Sequence, residues 1–590
     1  MANDPRTKHP VTIGARNYVA ELSATQWQPI AAIRQAQDNS GEPGEQSLNQ
    51  YGIWKRTRRD FLLGAGQEHA DEPEESDDLR FFSSLGIDPW DDRKLKLLNE
   101  TEQKKSTAQT SAKLIAVDDR IFWLDGGTLR YDTTPTPSSG WASSVAGISG
   151  ITDITQFGDR LFACDGADIH LVADASSAVY STYNADMVLY ANGRLVASSG
   201  AELVEINSGG TSAAIWTHPN DAWVWGGGIA TPNGIYVYGD AGGTSEIYFI
   251  GIIDADTSLA APFTAAPLTP NETVNDLYFY GGVVVIGTSR GFRLATATGI
   301  GHLTYGPLVE ISGGVNSVVG DGEDLWFTWT NYNGTNTGLG RTRLDRFTST
   351  LVPRYATDLM AVTQGAALAV CSYGDRRYFV ISGDGIYGET ATQTKVATGT
   401  YNSGWITFGT PEKKGFLSLD LRHEPLPAGA TFVGKILEDD GTSNTVVTSS
   451  TTSALGKIGD ASGIETEAVQ VEITLTRATD TTADVEFRRW TMRAIPMPYR
   501  SSQIVLALHL KSSVTNGRNR RGLNPKDEWD YLRTLEASRS LITVAIGDFS
   551  VTAYVDGVGF EANGLEKWDD RTKFPEGVFL VRLVTVEATV

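Results

Sequence analysis

The sequence predicts a mainly β chain: a β-propeller of about seven blades, preceded by an extended N-terminal arm and followed by a β-sandwich and a small α+β module. Two observations carry the propeller. Seven times between Lys113 and Gly409 a Gly, Asp or Asn turn launches a short apolar run: DDRIFWL, GDRLFAC, NGRLVAS, NGIYVYG, GGVVVIG, GEDLWFTW and GDRRYFVIS. These turns end at Arg120, Arg160, Arg194, Gly234, Gly282, Asp324 and Arg377, so a unit recurs every 34 to 53 residues, the length of a four-stranded sheet. One small twisted sheet cannot cover both of its faces, so such units stack around an axis and cover each other. A third observation, composition, supports the β class: 62 Gly, 14 Trp, 21 Tyr and 21 Phe provide turns and bulky strand residues.

Residues 1–110 are polar and irregular, with large apolar side chains at wide intervals: Tyr51, Trp54, Phe61, Phe81, Phe82 and Trp90. Neither a helical nor a strand period runs through them, so the segment reads as an arm, ordered by lying on its own propeller or on a neighbouring subunit. The six anchors are candidates for assembly contacts. Residues 111–410 form the propeller. In its runs Phe122 and Leu124, Leu161 and Ala163, and Leu195 and Ala197 alternate as blade strands require. Trp223 and Trp225 share one strand face; with Trp216 they are candidates for either blade packing or a ligand-stacking platform. The NYNGTNTGLG stretch reads as an exposed hairpin.

From Pro411 the period stops. KKGFLSLDLRHE, GATFVGKILEDD, AVQVEITLTRA and ADVEFRRWTMRAI read as strands of a sandwich over residues 411–500. Residues 501–590 read as an α+β module. There Asn524 and Pro525 open a helix with Trp529, Leu532 and Leu535 on one face, and three strands follow.

The chain's net charge of -22 opposes binding to nucleic acid or to an anionic membrane surface, and no apolar run is long enough for a membrane span. Its two cysteines, Cys164 and Cys371, sit in apolar runs of different units, which suits folding in a reducing cytoplasm. TRRDFLL, from Thr57 to Leu63, has the twin arginines of an export signal, but no apolar stretch follows and it reads as structural.

No catalytic constellation stands out. G-x-S-x-G, H-E-x-x-H, C-x-x-C and P-loop patterns are absent, and GDGIYG at Gly383 to Gly388 reads as a hairpin because no helix follows it. The sialidase pattern S-x-D-x-G-x-T-W is missing from every unit, and a loop cluster such as Asp321, Glu323 and Asp324 is expected by chance in a chain with 71 acidic residues. The seven histidines lack metal-ligand spacing, so no cofactor or metal is expected.

YGIWKRTRRDFLLGAGQ (Tyr51 to Gln67) and DDLRFFSSLGIDPWDDRKLKLL (Asp77 to Leu98), with ITFGTPEKKGF (Ile406 to Phe416) and IPMPYRSSQIVLALHL further on, carry a more specific signal. In this order they resemble minor tail proteins of long-tailed, siphovirus-type bacteriophages that infect actinobacteria. The resemblance implies a virion protein of the tail tip or baseplate, assembled in the bacterial host cytoplasm. It would be present in several copies around the tail axis and hold other phage tail proteins. It transfers no catalytic residue. Two alternatives remain: a receptor-binding protein that contacts host cell-envelope glycan, and a glycan-degrading depolymerase.

Overall fold

The computed structural model describes residues 8–21, 26–29, 54–69, 80–106 and, with short gaps, 113–585. Residues 114–389 form seven sheets of antiparallel strands, and each of the seven sequence runs is the second strand of its blade. The innermost strands follow one another around a ring: Leu114–Val117, Asp153–Phe157, Met187–Ala191, Val224–Thr231, Val274–Tyr280, Val318–Asp321 and Ala367–Tyr373. The last packs against the first, so the ring is closed.

Side chains near the axis tie blade to blade. The Val188 amide donates to Asp153 Oδ2 at 3.1 Å, and the Val318 amide to Asp276 Oδ2 at 2.9 Å. Both bonds satisfy an inner-strand N–H that has no ladder partner on the axial side. Cys164 and Cys371 are free, buried and in different blades.

The seventh blade takes its outermost strand from the N-terminal region. Thr101–Lys105 pairs antiparallel with Gly385–Glu389, with Thr101 opposite Glu389 and Lys105 opposite Ile386. Gly385, within the GDGIYG hairpin, makes this possible: its φ is +145°, and a Cβ there would meet the Lys105 carbonyl oxygen at 1.9 Å. A Gly385→Ala chain is therefore expected to lose the closing strand. The amides of residues 101–105 should exchange with solvent far faster than those of the central strand Arg376–Ile381, and equal protection of both would refute this.

The sandwich also incorporates N-terminal strands. Trp54–Arg58 pairs with Phe487–Pro496, and Ser83–Leu85 pairs with Thr398–Asn402. Thr398–Asn402 precedes residue 411, so the sandwich begins earlier than the sequence suggests. TRRDFLL contributes to it: Thr57 hydrogen-bonds Thr491 across the sheet at 3.1 Å, and Phe61 is fully buried.

In the C-terminal module, strands Arg16–Glu21, Lys8–Ile13, Ile542–Ile546, Phe549–Asp569, Phe574–Thr585 and Ser502–Leu510 pair in succession. Ala20 opposite Leu508 then joins the last to the first, closing a small barrel. Ile504, Leu506, Leu508 and Leu510 alternate into its core with Val11 and Ile13. The helix α1, Pro525–Ser538, lies on the barrel; the Asn524 side chain caps it, and Trp529 stacks on Phe560 at 4.8 Å. The segment expected to lie as an arm on its own propeller or on a neighbouring subunit instead contributes strands to all three bodies of its own chain.

Candidate functional site

Trp216, Trp223 and Trp225 do come together, but not as an exposed platform. Trp223 and Trp225 are buried between blades three and four, and Trp216 is partly buried beside them. Trp223 stacks on His218 at 4.2 Å; His218 Nε2 lies 3.0 Å from the Tyr248 hydroxyl, and Trp225 Nε1 donates to the Ala201 carbonyl at 3.1 Å. A Cβ at Gly239 would meet the Trp223 indole nitrogen at 2.5 Å, so the glycine lets that ring lie flat on the strand. The stacking-platform assignment is corrected for Trp223 and Trp225, whose rings are buried where two blades meet; Trp216 packs against them and stays partly buried.

The assembly-anchor assignment is corrected in the same way. Trp54, Phe61, Phe81 and Trp90 lie in the sandwich core of their own chain, and Phe61 meets Tyr401 edge-on at 5.4 Å. Side chains already removed from water there have nothing left to offer a neighbour. Tyr51 lies outside the described residues. Of the five described anchors, Phe82 alone stays well exposed, at 40 %, and it lines a cleft against blade six.

Where the N-terminal segment crosses blade six, a charged cluster clasps the two together. Arg341, on strand Asn336–Arg343, donates from Nη2 to Asp88 Oδ1 at 2.7 Å, from Nη1 to Asp324 Oδ2 at 3.0 Å, and from Nε to Asp358 Oδ2. Its guanidinium lies between the rings of Trp326, at 4.8 Å, and Trp90, at 5.6 Å. Burial works against the Arg341 charge, but Asp358, Asp88 and Asp324 outweigh it and hold the guanidinium above its ordinary range. A polar cavity of about 90 Å³ adjoins the cluster, lined by Arg341, Arg377, Glu389 and Lys395 among others.

Two members of the Asp321, Glu323, Asp324 group are thereby accounted for. Asp324 is paired with Arg341 and Arg343, and Asp321 with Arg377 at 3.1 Å. Among the described residues, no group of three or more His, Cys, Asp or Glu side chains could hold a metal ion.

Burial pushes the Asp276 carboxyl up from 3.8 to about 6 against the pull of Lys113, and it raises the Asp358 carboxyl too, against the pull of Arg341. A carboxyl whose folded pKa exceeds its unfolded one binds its proton more tightly in the native state. Its contribution is complete below the unfolded value and is lost as pH rises through the folded value. Raising the pH from about 4 to 7 is therefore expected to lower the unfolding temperature, and Asp276→Asn should flatten that slope. A profile rising across this window would contradict the assignment.

Sequence reasoning missed Asp88, Arg341 and Asp358. Arg341 and Arg343 alternate in GLGRTRLD, an unusual charge density for a blade strand, and Asp88 lies in the GIDPW phrase already marked by the resemblance. Nothing in the order of residues says that the two stretches meet.

No protein-family model matches the chain, and no curated protein is similar to it. Solved structures do match. Virginiamycin B lyase from Staphylococcus aureus is 14 % identical, with TM-score 0.35, over 50 % of this chain and 97 % of that one. BamB from Moraxella catarrhalis is 12 % identical, with TM-score 0.31, over 49 % and 96 %. The extracellular domain of BT4673 from B. thetaiotaomicron is 11 % identical, with TM-score 0.36, over 76 % and 62 %. Likeness at this level carries no chemistry across to this chain.

Proposed function

We propose that this chain is a structural component of a bacteriophage tail tip or baseplate, a non-catalytic minor tail protein that holds neighbouring tail proteins and displays its propeller outward. One observation carries the reading: three of the four stretches that resemble minor tail proteins come together in space. Trp54 and Phe61 from the first, Phe81 and Trp90 from the second, and Phe408 and Phe416 from the third all belong to one buried core. They are joined to the propeller through the Arg341 clasp. A set of motifs that builds a junction supports a rigid scaffold better than a binding or catalytic loop does.

With Trp54, Phe61, Phe81 and Trp90 spent internally, contacts to neighbouring tail proteins fall to the outer surfaces of the three bodies. The virion location, several copies about the tail axis and assembly in the host cytoplasm belong to the same proposal.

The test is immunogold electron microscopy of purified particles with antibody raised against the propeller. Label at the tail tip is expected, and particles that lack the protein would overturn the proposal. Incubation of the purified protein with host envelope polysaccharide is expected to leave polymer length unchanged; shortening would establish the depolymerase alternative instead.

A further inference from the structure

Beside the clasp, an open cleft of about 310 Å³ lies between the N-terminal segment and blade six, at the low end of the roughly 300–1,000 Å³ of small-molecule sites. Phe82 stands on one wall, and Trp329, Tyr332 and Tyr355 line the other. Trp329 and Tyr332 stand nearly perpendicular, at 87°, with centroids 5.0 Å apart. Their polar atoms are engaged elsewhere: Trp329 Nε1 donates to Ser312 Oγ at 3.2 Å, and the Tyr332 hydroxyl to the Ser84 carbonyl at 2.9 Å. The rings are thus held in place with their polar tips already bonded.

The GAGQ stretch builds the other wall by close approach. The Ala65 amide donates to the Tyr355 carbonyl at 2.7 Å, and a Cβ at Gly66, where φ is +106°, would lie 2.3 Å from the Tyr355 hydroxyl. At the rim are two polar groups. Glu310 is largely exposed and paired with Arg290 at 2.9 Å, and Asn333 is exposed on the blade-six hairpin.

We infer that this cleft binds a neutral saccharide of one or two rings. Apolar ring faces suit the C–H face of a sugar, while a carboxylate and an amide at the rim suit its hydroxyl edge. The net charge of -22 opposes an anionic ligand, and the cleft's volume is too small for a folded peptide segment. The inference stands apart from the tail assignment, because it concerns binding by the isolated full-length chain.

The test is saturation-transfer NMR and calorimetry with maltose, lactose, mannobiose and chitobiose. At least one is expected to bind, with saturation strongest on ring C–H protons. Phe82→Ala and Glu310→Gln, both rim positions, should each weaken it by roughly 3- to 10-fold at unchanged melting temperature, the loss of about one ring or charge-assisted contact. Val224→Ala, at an exposed apolar position in blade four, should leave binding unchanged. Binding by none of the four sugars, or binding that survives both rim substitutions, would overturn the inference.

Discussion

A chain lacking residues 1–106 is expected not to yield a stable propeller or sandwich. The deletion removes the outermost strand of blade seven, two sandwich strands and the first strands of the C-terminal barrel. It also removes Trp54, Phe61, Phe81, Ile87, Trp90, Leu95 and Leu97 from the sandwich core. Burying each such side chain contributes roughly 1.5–3 kcal/mol, so together they match or exceed the roughly 5–15 kcal/mol net stability of a typical domain. The truncated protein should be recovered as aggregate, or as a soluble chain with weak near-ultraviolet circular dichroism and rapid proteolysis at blade seven. A monodisperse truncation that unfolds cooperatively near the full-length temperature would show the N-terminal segment to be dispensable.

Arg341→Ala is expected to be the most damaging single substitution at the clasp. It leaves Asp88, Asp324 and Asp358 facing one another with only Arg343 still paired to Asp324. Removing one partner from a buried ionic group costs about 3–5 kcal/mol, several-fold more than an exposed pair at roughly 0–1 kcal/mol. The loss should appear in urea unfolding followed by tryptophan fluorescence. Arg341→Lys should recover part of it, since an ammonium restores the charge without the planar fork that reaches three carboxylates. A shift below about 1 kcal/mol would mean that the cluster is solvated like an ordinary surface pair.

The two expectations differ in what could be read from the order of residues. Blade seven's closing strand, Thr101–Lys105, reads only as a polar TEQKK run with no apolar alternation, because an outermost strand needs ladder bonds on one side and little burial. Its role follows from the partner it finds at Gly385–Glu389, more than 250 residues later. Asp88 and Arg341 are equally distant in sequence, and neither shows a local sign of the other. Trp223 and Trp225 show the converse difficulty. Their alternation is plain, but the same alternation serves a buried blade contact and an exposed platform, and only the neighbouring blade decides between them.

Local periodicity alone determined the β class, the blade count, the second strand of every blade, and the helix opened by Asn524 and Pro525. Each of these rests on contacts between residues close in sequence, where turn chemistry and side-chain period act directly. The tertiary structure decided where the N-terminal residues go, that Trp54, Phe61, Phe81 and Trp90 complete the chain's own core, and that a cleft opens beside Phe82. Strand pairing is the physical reason. A β-ladder joins backbone groups whatever their separation along the chain, so its partner is chosen by the surface left uncovered once the local units have formed.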